Sequence, residues 1–233
     1  MITNPIPIIA IDGTSSSGKG TIAYKIAEHF GYNYLNSGAL YRLTAYIALK
    51  NNVNLSHEEA LVQIALDLRP HFKGKQVIVD GVDVWPLIST QEYGNHASAI
   101  SPIKELREAL FVTQRKMIQA PGLVAEGRDM CTHVFTDASI KLYLDADITV
   151  RAERRLLDEQ RKNTGKTLEV IIDELEIRDH RDMTRELGRL YPSADAVIVD
   201  TGGKTVEEVL SKCIAECIKK VSNKKTVKYI TVF

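Results

Sequence analysis

Seven residues, Gly13-Thr14-Ser15-Ser16-Ser17-Gly18-Lys19, match the spacing GxxxxGK. Small residues at these positions let a backbone wrap around phosphate oxygens. The loop amides then form a ring of donors, and the partial positive charge of a following helix N-terminus adds to them. Lys19 places a full charge where the β- and γ-phosphates of a nucleotide would lie. The usual hydroxyl residue after the lysine is replaced by Gly20, with Thr21 next. A less standard hydroxyl–magnesium arrangement is therefore expected, with room for an intervening water.

Further along, Arg42 follows the small residues of Asn36-Ser37-Gly38-Ala39, within reach of a phosphate, although a surface Arg on a helix fits as well. The neighbours Arg128 and Asp129 allow two readings. They are either a structural ion pair or a divided site, the cation on phosphate and the carboxylate on a hydroxyl, amine or hydrated metal. Arg178, Arg181, Asp182 and Arg185 stand at offsets of three, four and seven, so they share one helix face. A solvated face with Glu174 and Asp182 each four residues from Arg178 is almost as good a reading of that segment. Arg151, Arg154 and Arg155 repeat the pattern.

These residues must be positioned by alternating elements. Pro7 to Ile11 is a short apolar run, as expected for a strand buried on both faces. Apolar residues from Ile22 to Phe30 recur at helical spacing and stop at Gly31. Further strands are expected at Tyr32 to Leu35, Leu123 to Ala125, Ile140 to Leu144 and Ala196 to Asp200. Helices are expected at Ala39 to Lys50, through the charged stretch Arg151 to Arg189, and from Val206 to Val221. The pattern predicts a five-stranded parallel α/β sheet with helices on both faces. The middle reads as an insertion. Ser56 and Glu59 suggest a capping box for a helix through Leu68. Asp80-Gly81 between two β-branched runs signals a hairpin. Ser101-Pro102 suggests a cap and first-turn proline for a helix reaching Gln119. The tail from Ser222 is Lys-rich, then apolar at Tyr229, Ile230, Val232 and Phe233, and reads equally as a docked strand or a loose end.

Bulk properties exclude several classes. The 233 residues carry 30 Lys plus Arg against 30 Asp plus Glu, so nothing calls for a nucleic-acid or membrane partner. Eight of thirteen Arg nevertheless fall between Arg151 and Arg189, where their forked donors suit phosphate or carboxylate. The three cysteines form no CxxC pair and no disulfide framework, which points to a reducing, cytoplasmic compartment. Cys213 and Cys217 are expected to face the core. No signal peptide, membrane-spanning run or zinc-type spacing is read, so no protein-bound metal centre is expected. Trp85 beside Pro86 is expected to pack the insertion rather than stack on a base. No stripe of apolar residues points beyond a monomer.

Several segments together resemble the cytidylate kinase family within the nucleoside monophosphate kinases. They are IAIDGTSSSGKGT (Ile9 to Thr21), NSGALYR (Asn36 to Arg42), TQEYGNHAS (Thr90 to Ser98), REAL (Arg107 to Leu110), AEGRDM (Ala125 to Met130), RDHRDMTR (Arg178 to Arg185) and SADAVIVDT (Ser193 to Thr201). The resemblance spans nearly the whole chain, in order. It implies one P-loop kinase domain over residues 1–233, with a monophosphate-binding subdomain and insertion at 37–106 and a helical lid at 151–189. It implies ATP as co-substrate, Mg²⁺, and CMP or dCMP as acceptor. The cofactor site would be Gly13, Thr14, Ser15, Ser16, Ser17, Gly18, Lys19, Gly20 and Thr21. Ser37, Tyr41 and Arg42 would line the acceptor pocket, while Ser98, Arg107 and Asp129 would read or support the cytosine. Arg128 would hold the acceptor phosphate, Arg178 and Asp182 would contact its sugar and phosphate side, and Arg185 would complete the pocket. Lys19, Arg128, Asp129 and Arg178 would carry the transfer. Three departures from the family pattern stand out: Asn36 for an Asp, Cys131 for a Gly, and Arg189 for a Pro. The competing readings are a kinase for UMP, AMP or a small alcohol, and a P-loop switch that performs no transfer.

Overall fold

The structure is a computed structural model describing residues 6–161 and 164–223. In chain order the elements begin with β1 (Ile8–Gly13), α1 (Lys19–Phe30), β2 (Asn33–Asn36), α2 (Ser37–Lys50) and α3 (Glu58–Asp67). A small antiparallel sheet follows, β3 (His71–Lys73), β4 (Gln76–Val79) and β5 (Val82–Asp83). Next come α4 (Trp85–Ile88), α5 (Gln91–Ile100), α6 (Lys104–Arg115), β6 (Leu123–Glu126), a π-helical turn at Met130–Val134 and β7 (Ile140–Asp145). The chain continues through α7 (Ile148–Arg161), α8 (Leu168–Thr184), β8 (Val197–Asp200) and α9 (Val206–Asn223).

The main sheet has the expected five parallel strands, in the order β2-β6-β1-β7-β8. Alternate side chains of a strand point to opposite faces, and both faces are covered. Ile8 and Ala10 join Leu35, Leu123 and Ala125 in a core shared with α2, α3, α5 and α6. Ile9 and Ile11 join Val124, Leu142 and Leu144 in a second core shared with α1 and α9, which takes in Cys213 and Cys217. This double burial explains the unbroken apolar run in β1. The register pairs Ile11 with Glu126, Asn36 with Glu126, and Gly13 with Leu144. The carboxyl ends of β1, β2 and β6 therefore lie side by side, where open α/β sheets place their ligands.

The insertion departs from expectation at two caps. The Ser56–Glu59 capping box does not form; α3 is capped by His57 without a side-chain bond. Ser56 donates instead, through its backbone N–H and its Oγ, to Asn54 Oδ1, each at 2.9 Å, in a local turn that competes with capping. Ser101-Pro102 does not open α6. Ser101 closes α5, α6 starts after Ile103, and it stops at Arg115 rather than Gln119. The hairpin at Asp80-Gly81 is present, both residues having positive φ (50° and 80°), as its tight two-residue turn requires. Its third strand β3 and the helix α5 carry no clear periodicity in the sequence. The apolar tail from Tyr229 lies outside the described residues.

Gly13 closes β1 with φ +155°, and a Cβ there would collide with the Leu144 carbonyl of the neighbouring strand. Gly13→Ala is expected to destabilise the fold by about 2–3 kcal/mol, read as a lowered midpoint in urea denaturation.

Candidate active site

The phosphate loop is shaped by bonds from the protein itself. Ser16 and Gly18 adopt positive φ (59° and 84°), turning the chain into α1. Thr14 Oγ1 donates to Asp145 Oδ1 (2.6 Å), Ser17 Oγ donates to the Thr14 carbonyl (2.9 Å), and Thr201 Oγ1 donates to the Ser17 carbonyl (3.1 Å). The first turn of α1 has no acidic side chain and no side-chain cap. Its positive end is left for an anion. Lys19 Nζ donates to the Thr14 carbonyl at 3.0 Å, inside the loop. Thr21 is exposed on α1, away from the cavity described next.

In front of the sheet edge lies a cavity of about 230 Å³. Lys19 forms one wall, and Ser37, Tyr41 and Arg42 from α2 another. Ser98 of α5 and Arg107 of α6 close it from the insertion. Arg128 and Asp129 rise from the end of β6, and Arg178, Asp182 and Arg185 face it from α8 and its exit. Every acceptor-side residue singled out in the sequence thus meets Lys19 around one space. Trp85 lines it too while packing against the adjoining core, so it does more than support the insertion.

The neighbours Arg128 and Asp129 do not pair with each other. Arg128 Nε donates to Asp182 Oδ2 (2.9 Å) and its Nη2 donates to Ser15 Oγ (2.9 Å). Asp129 accepts from Arg107, whose Nη1 also donates to the Ser101 carbonyl (3.1 Å). The α8 face is not a solvated ladder either. Asp182 is buried between Arg128 and Arg185, and Glu174 pairs with Lys166 instead of Arg178. Arg178 keeps a buried Nε with no protein partner among the described residues. Arg42 Nη1 is braced by the carbonyls of Ile88 and Thr90, both at 2.6 Å.

The charge balance of this cavity is uneven. Six cationic side chains (Lys19, Arg42, Arg107, Arg128, Arg178, Arg185) face three carboxylates (Glu126, Asp129, Asp182). Burial, then repulsion from Arg128, pushes the Lys19 ammonium down to about 7. Burial and Arg128 likewise bring Arg178 down to about 9, and burial with Arg155 brings Arg42 to about 10. Burial opposes the charge of Asp182, but Arg128, Arg185 and Arg178 hold its carboxyl below the usual range. Such a surplus of desolvated positive charge is costly unless an anion joins it. A phosphate supplies both the charge and the acceptor oxygens.

The three departures are accommodated locally. Asn36 caps α2, its Oδ1 accepting from the Ala39 N–H at 3.1 Å. Cys131 has no positive φ; its N–H donates to Asp12 Oδ2 at 2.7 Å within the π-helical turn. Arg189 Nε reaches back to the Arg185 carbonyl at 2.9 Å. The sequence places Arg181 on the α8 face without a partner, and it gives no role to Glu126 or Asp179. Arg181 Nη1 donates to Ser98 Oγ (2.9 Å), and Glu126 lines the cavity beside Lys19. Asp179 reaches the phosphate loop itself. Its place three residues before Asp182, toward the same side of α8, is the one signal that could have marked it.

No group of three or more His, Cys, Asp or Glu among the described residues could hold a metal ion. No helix among them is long and apolar enough to cross a membrane.

A glycine-rich loop between β1 and α1, at the carboxyl edge of a five-stranded parallel sheet and facing a cation-lined cavity, defines a P-loop kinase. A family model described as cytidylate kinase matches residues 9–220. The chain is 42% identical over 222 residues to the cytidylate kinase of Shewanella amazonensis (strain ATCC BAA-1098 / SB2B), covering 93% of this chain and 96% of that one. It is also 42% identical over 222 residues to the cytidylate kinase of Proteus mirabilis (strain HI4320), covering 94% and 98%. The chain belongs to the cytidylate kinase family. At the level of fold, it superposes on the crystal structure of an uncharacterized protein from Eubacterium ventriosum ATCC 27560 with a TM-score of 0.50 at 12% identity, covering 94% of this chain and 99% of that one.

Burial of Lys19 makes the stability of the fold depend on pH. With about 7 in the folded protein against 10.5 in the unfolded chain, the unfolded state binds more protons between those values. The burden of burying this ammonium is complete below pH 7 and fades as pH rises toward 10.5. In ligand-free protein, Lys19→Met is expected to raise the melting temperature at pH 6, with a smaller gain at pH 9, measured by calorimetry.

Proposed function

We propose that the chain transfers the γ-phosphoryl group of ATP to the 5′-phosphate of CMP and dCMP, giving CDP or dCDP and ADP. The observation that carries this reading is that six cationic side chains, buried or half-buried, face only three carboxylates in the cavity that opens beside Lys19. The acceptor is a phosphate oxygen, largely ionised at neutral pH because its second pKa is about 6. No general base is needed. The obstacle is the approach of two polyanions in a space closed to water, and preorganised cations answer it.

In this reading the loop of residues 13 to 21, through the amides that the protein leaves unpaired, and Lys19 hold the donor phosphates. Arg42, Arg128 and Arg178 hold the acceptor phosphate, with Ser37, Tyr41, Asp182 and Arg185 shaping the sugar side. Ser98, Arg107 and Asp129 read the base. Cytosine offers an amino donor where uracil offers a carbonyl, so a carboxylate in the base pocket favours cytosine. Asp129, held by Arg107, is the carboxylate of this reading. Mg²⁺ would be held chiefly by the substrates' own phosphates, with Glu126 lining the cavity beside Lys19, and would supply further charge neutralisation. The donor set fits this, since the described residues offer no carboxylate cage that could hold the ion alone. Residues 37–106 act as the monophosphate-binding subdomain and 151–189 as a lid that closes over ATP and excludes water. The enzyme works as a monomer in pyrimidine nucleotide metabolism in the cytoplasm, with no nucleic-acid partner.

A coupled assay of ADP release against CMP, dCMP, UMP and AMP tests the reading. Turnover is expected with CMP and dCMP well above UMP and AMP. Slow ATP hydrolysis indifferent to CMP would favour a switch instead. Arg128→Ala is expected to lower kcat/KM by about 10²–10³. Asp129→Asn is expected to shrink the CMP:UMP ratio, measured from kcat/KM for each acceptor.

A further inference from the structure

Ser15, the third residue of the phosphate loop, is engaged from three directions. Its N–H donates to Asp179 Oδ1 of α8 at 3.2 Å. Its carbonyl accepts from Arg151 Nη1 of α7 at 3.1 Å. Its hydroxyl accepts from Arg128 Nη2 at 2.9 Å. The circuit closes because Arg151 Nη1 also donates to Asp179 Oδ2, while Arg151 Nε donates to the Ala146 carbonyl at 2.9 Å. Asp179 and Arg151 are both buried, at 6% exposure each.

A buried carboxylate that reaches across 164 positions of sequence to one loop amide is more than an incidental ion pair. An arginine alone would hold α7 to the loop. Asp179 adds a bond from α8, the same helix that presents Arg178 and Asp182 to the acceptor cavity. It also neutralises Arg151 at the point where that side chain meets the loop. Ser15 therefore registers three things together: the position of α8, the position of α7, and, through Arg128, the acceptor side.

We propose that Asp179 is a positioning residue for the transfer, a clasp that docks the α7–α8 arm onto Ser15. The inference rests on the kinase reading given above. Asp179 touches the loop and Arg151 rather than a reacting atom. With the clasp made, Arg178 and Arg128 are held in register with the donor phosphates, and water has no path along the loop. With it broken, the arm still covers ATP, but its alignment with the acceptor is lost. The phosphoryl group then goes to water more often.

The test compares wild type, Asp179→Ala and Asp179→Asn. Asn retains the volume and an oxygen for the Ser15 N–H but removes the charge, and it serves if the Ala variant fails to fold. For Asp179→Ala, kcat for CMP phosphorylation is expected to fall by about 10²-fold with little change in the KM for CMP. The fraction of ATP lost to hydrolysis is expected to rise, and Asp179→Asn is expected to lie between. Amide hydrogen exchange in ligand-free protein is expected to show faster exchange at Ser15 in the Ala variant. That readout does not depend on the acceptor. If wild-type protein proved inactive on CMP, the kinase reading would fail while exchange at Ser15 still decided whether the clasp exists. A folded Asp179→Ala or Asp179→Asn variant with unchanged kcat and an unchanged hydrolysis fraction would overturn the proposal. So would tighter ATP binding at full kcat, which would make Asp179 a competitor for the donor site.

Discussion

The structure is organised around positive charge that has been taken out of water and only half neutralised. Isolated cations avoid such places because desolvation is expensive. Here Lys19, Arg42 and Arg178 tolerate it, with their protonation pushed down by burial and by one another. Asp182, Asp129 and Glu126 offset part of the burden, and the proposed phosphate ligands would offset the remainder. The same imbalance that burdens the empty protein favours binding of a polyanion, and the fold must be stiff enough to carry it meanwhile. The two buried cores on either face of the parallel sheet supply that stiffness.

Geometry converts the charge into selectivity. The loop after β1 has its donors turned inward by positive backbone angles at Ser16 and Gly18. The cavity wall is assembled from five separate regions, α2, α5, α6, the end of β6 and α8, and is tied by side chains that cross between them. Arg128 joins β6 to α8 and to the loop. Arg181 joins α8 to α5. These bonds hold the charges in fixed directions, and fixed donors cost no reorganisation during transfer.

Much of this is legible in the sequence where a local rule decides. The GxxxxGK spacing, the apolar run of β1 and the Asp80-Gly81 turn each announce themselves because backbone geometry at those points admits few residues. The residues proposed for the acceptor are less legible, since Arg42 and Arg178 give only ambiguous local signals and Arg107 enters through the family resemblance alone. Pairing is where the sequence falls silent. Adjacent Arg128 and Asp129 look like partners, yet the strand end sends them to Asp182 and Arg107. Arg178 and Asp182 are spaced for an intrahelical bond, yet Asp182 is claimed by Arg128 from the end of β6 and by Arg185 three residues on. Ser56 and Ser101 look like helix caps, but one serves a local turn and the other ends the preceding helix. Short polar side chains have several partners within reach, and the choice among them is made by the fold as a whole.

The account turns on whether one phosphate is seized by guanidinium groups from different parts of the chain while Lys19 faces it. A crystal structure with bound CMP tests this directly. The 5′-phosphate is predicted to sit within about 3 Å of donors from Arg42, Arg128 and Arg178, on the Lys19 side of the cavity. CMP seated elsewhere, or those three side chains turned away from its phosphate, would contradict it.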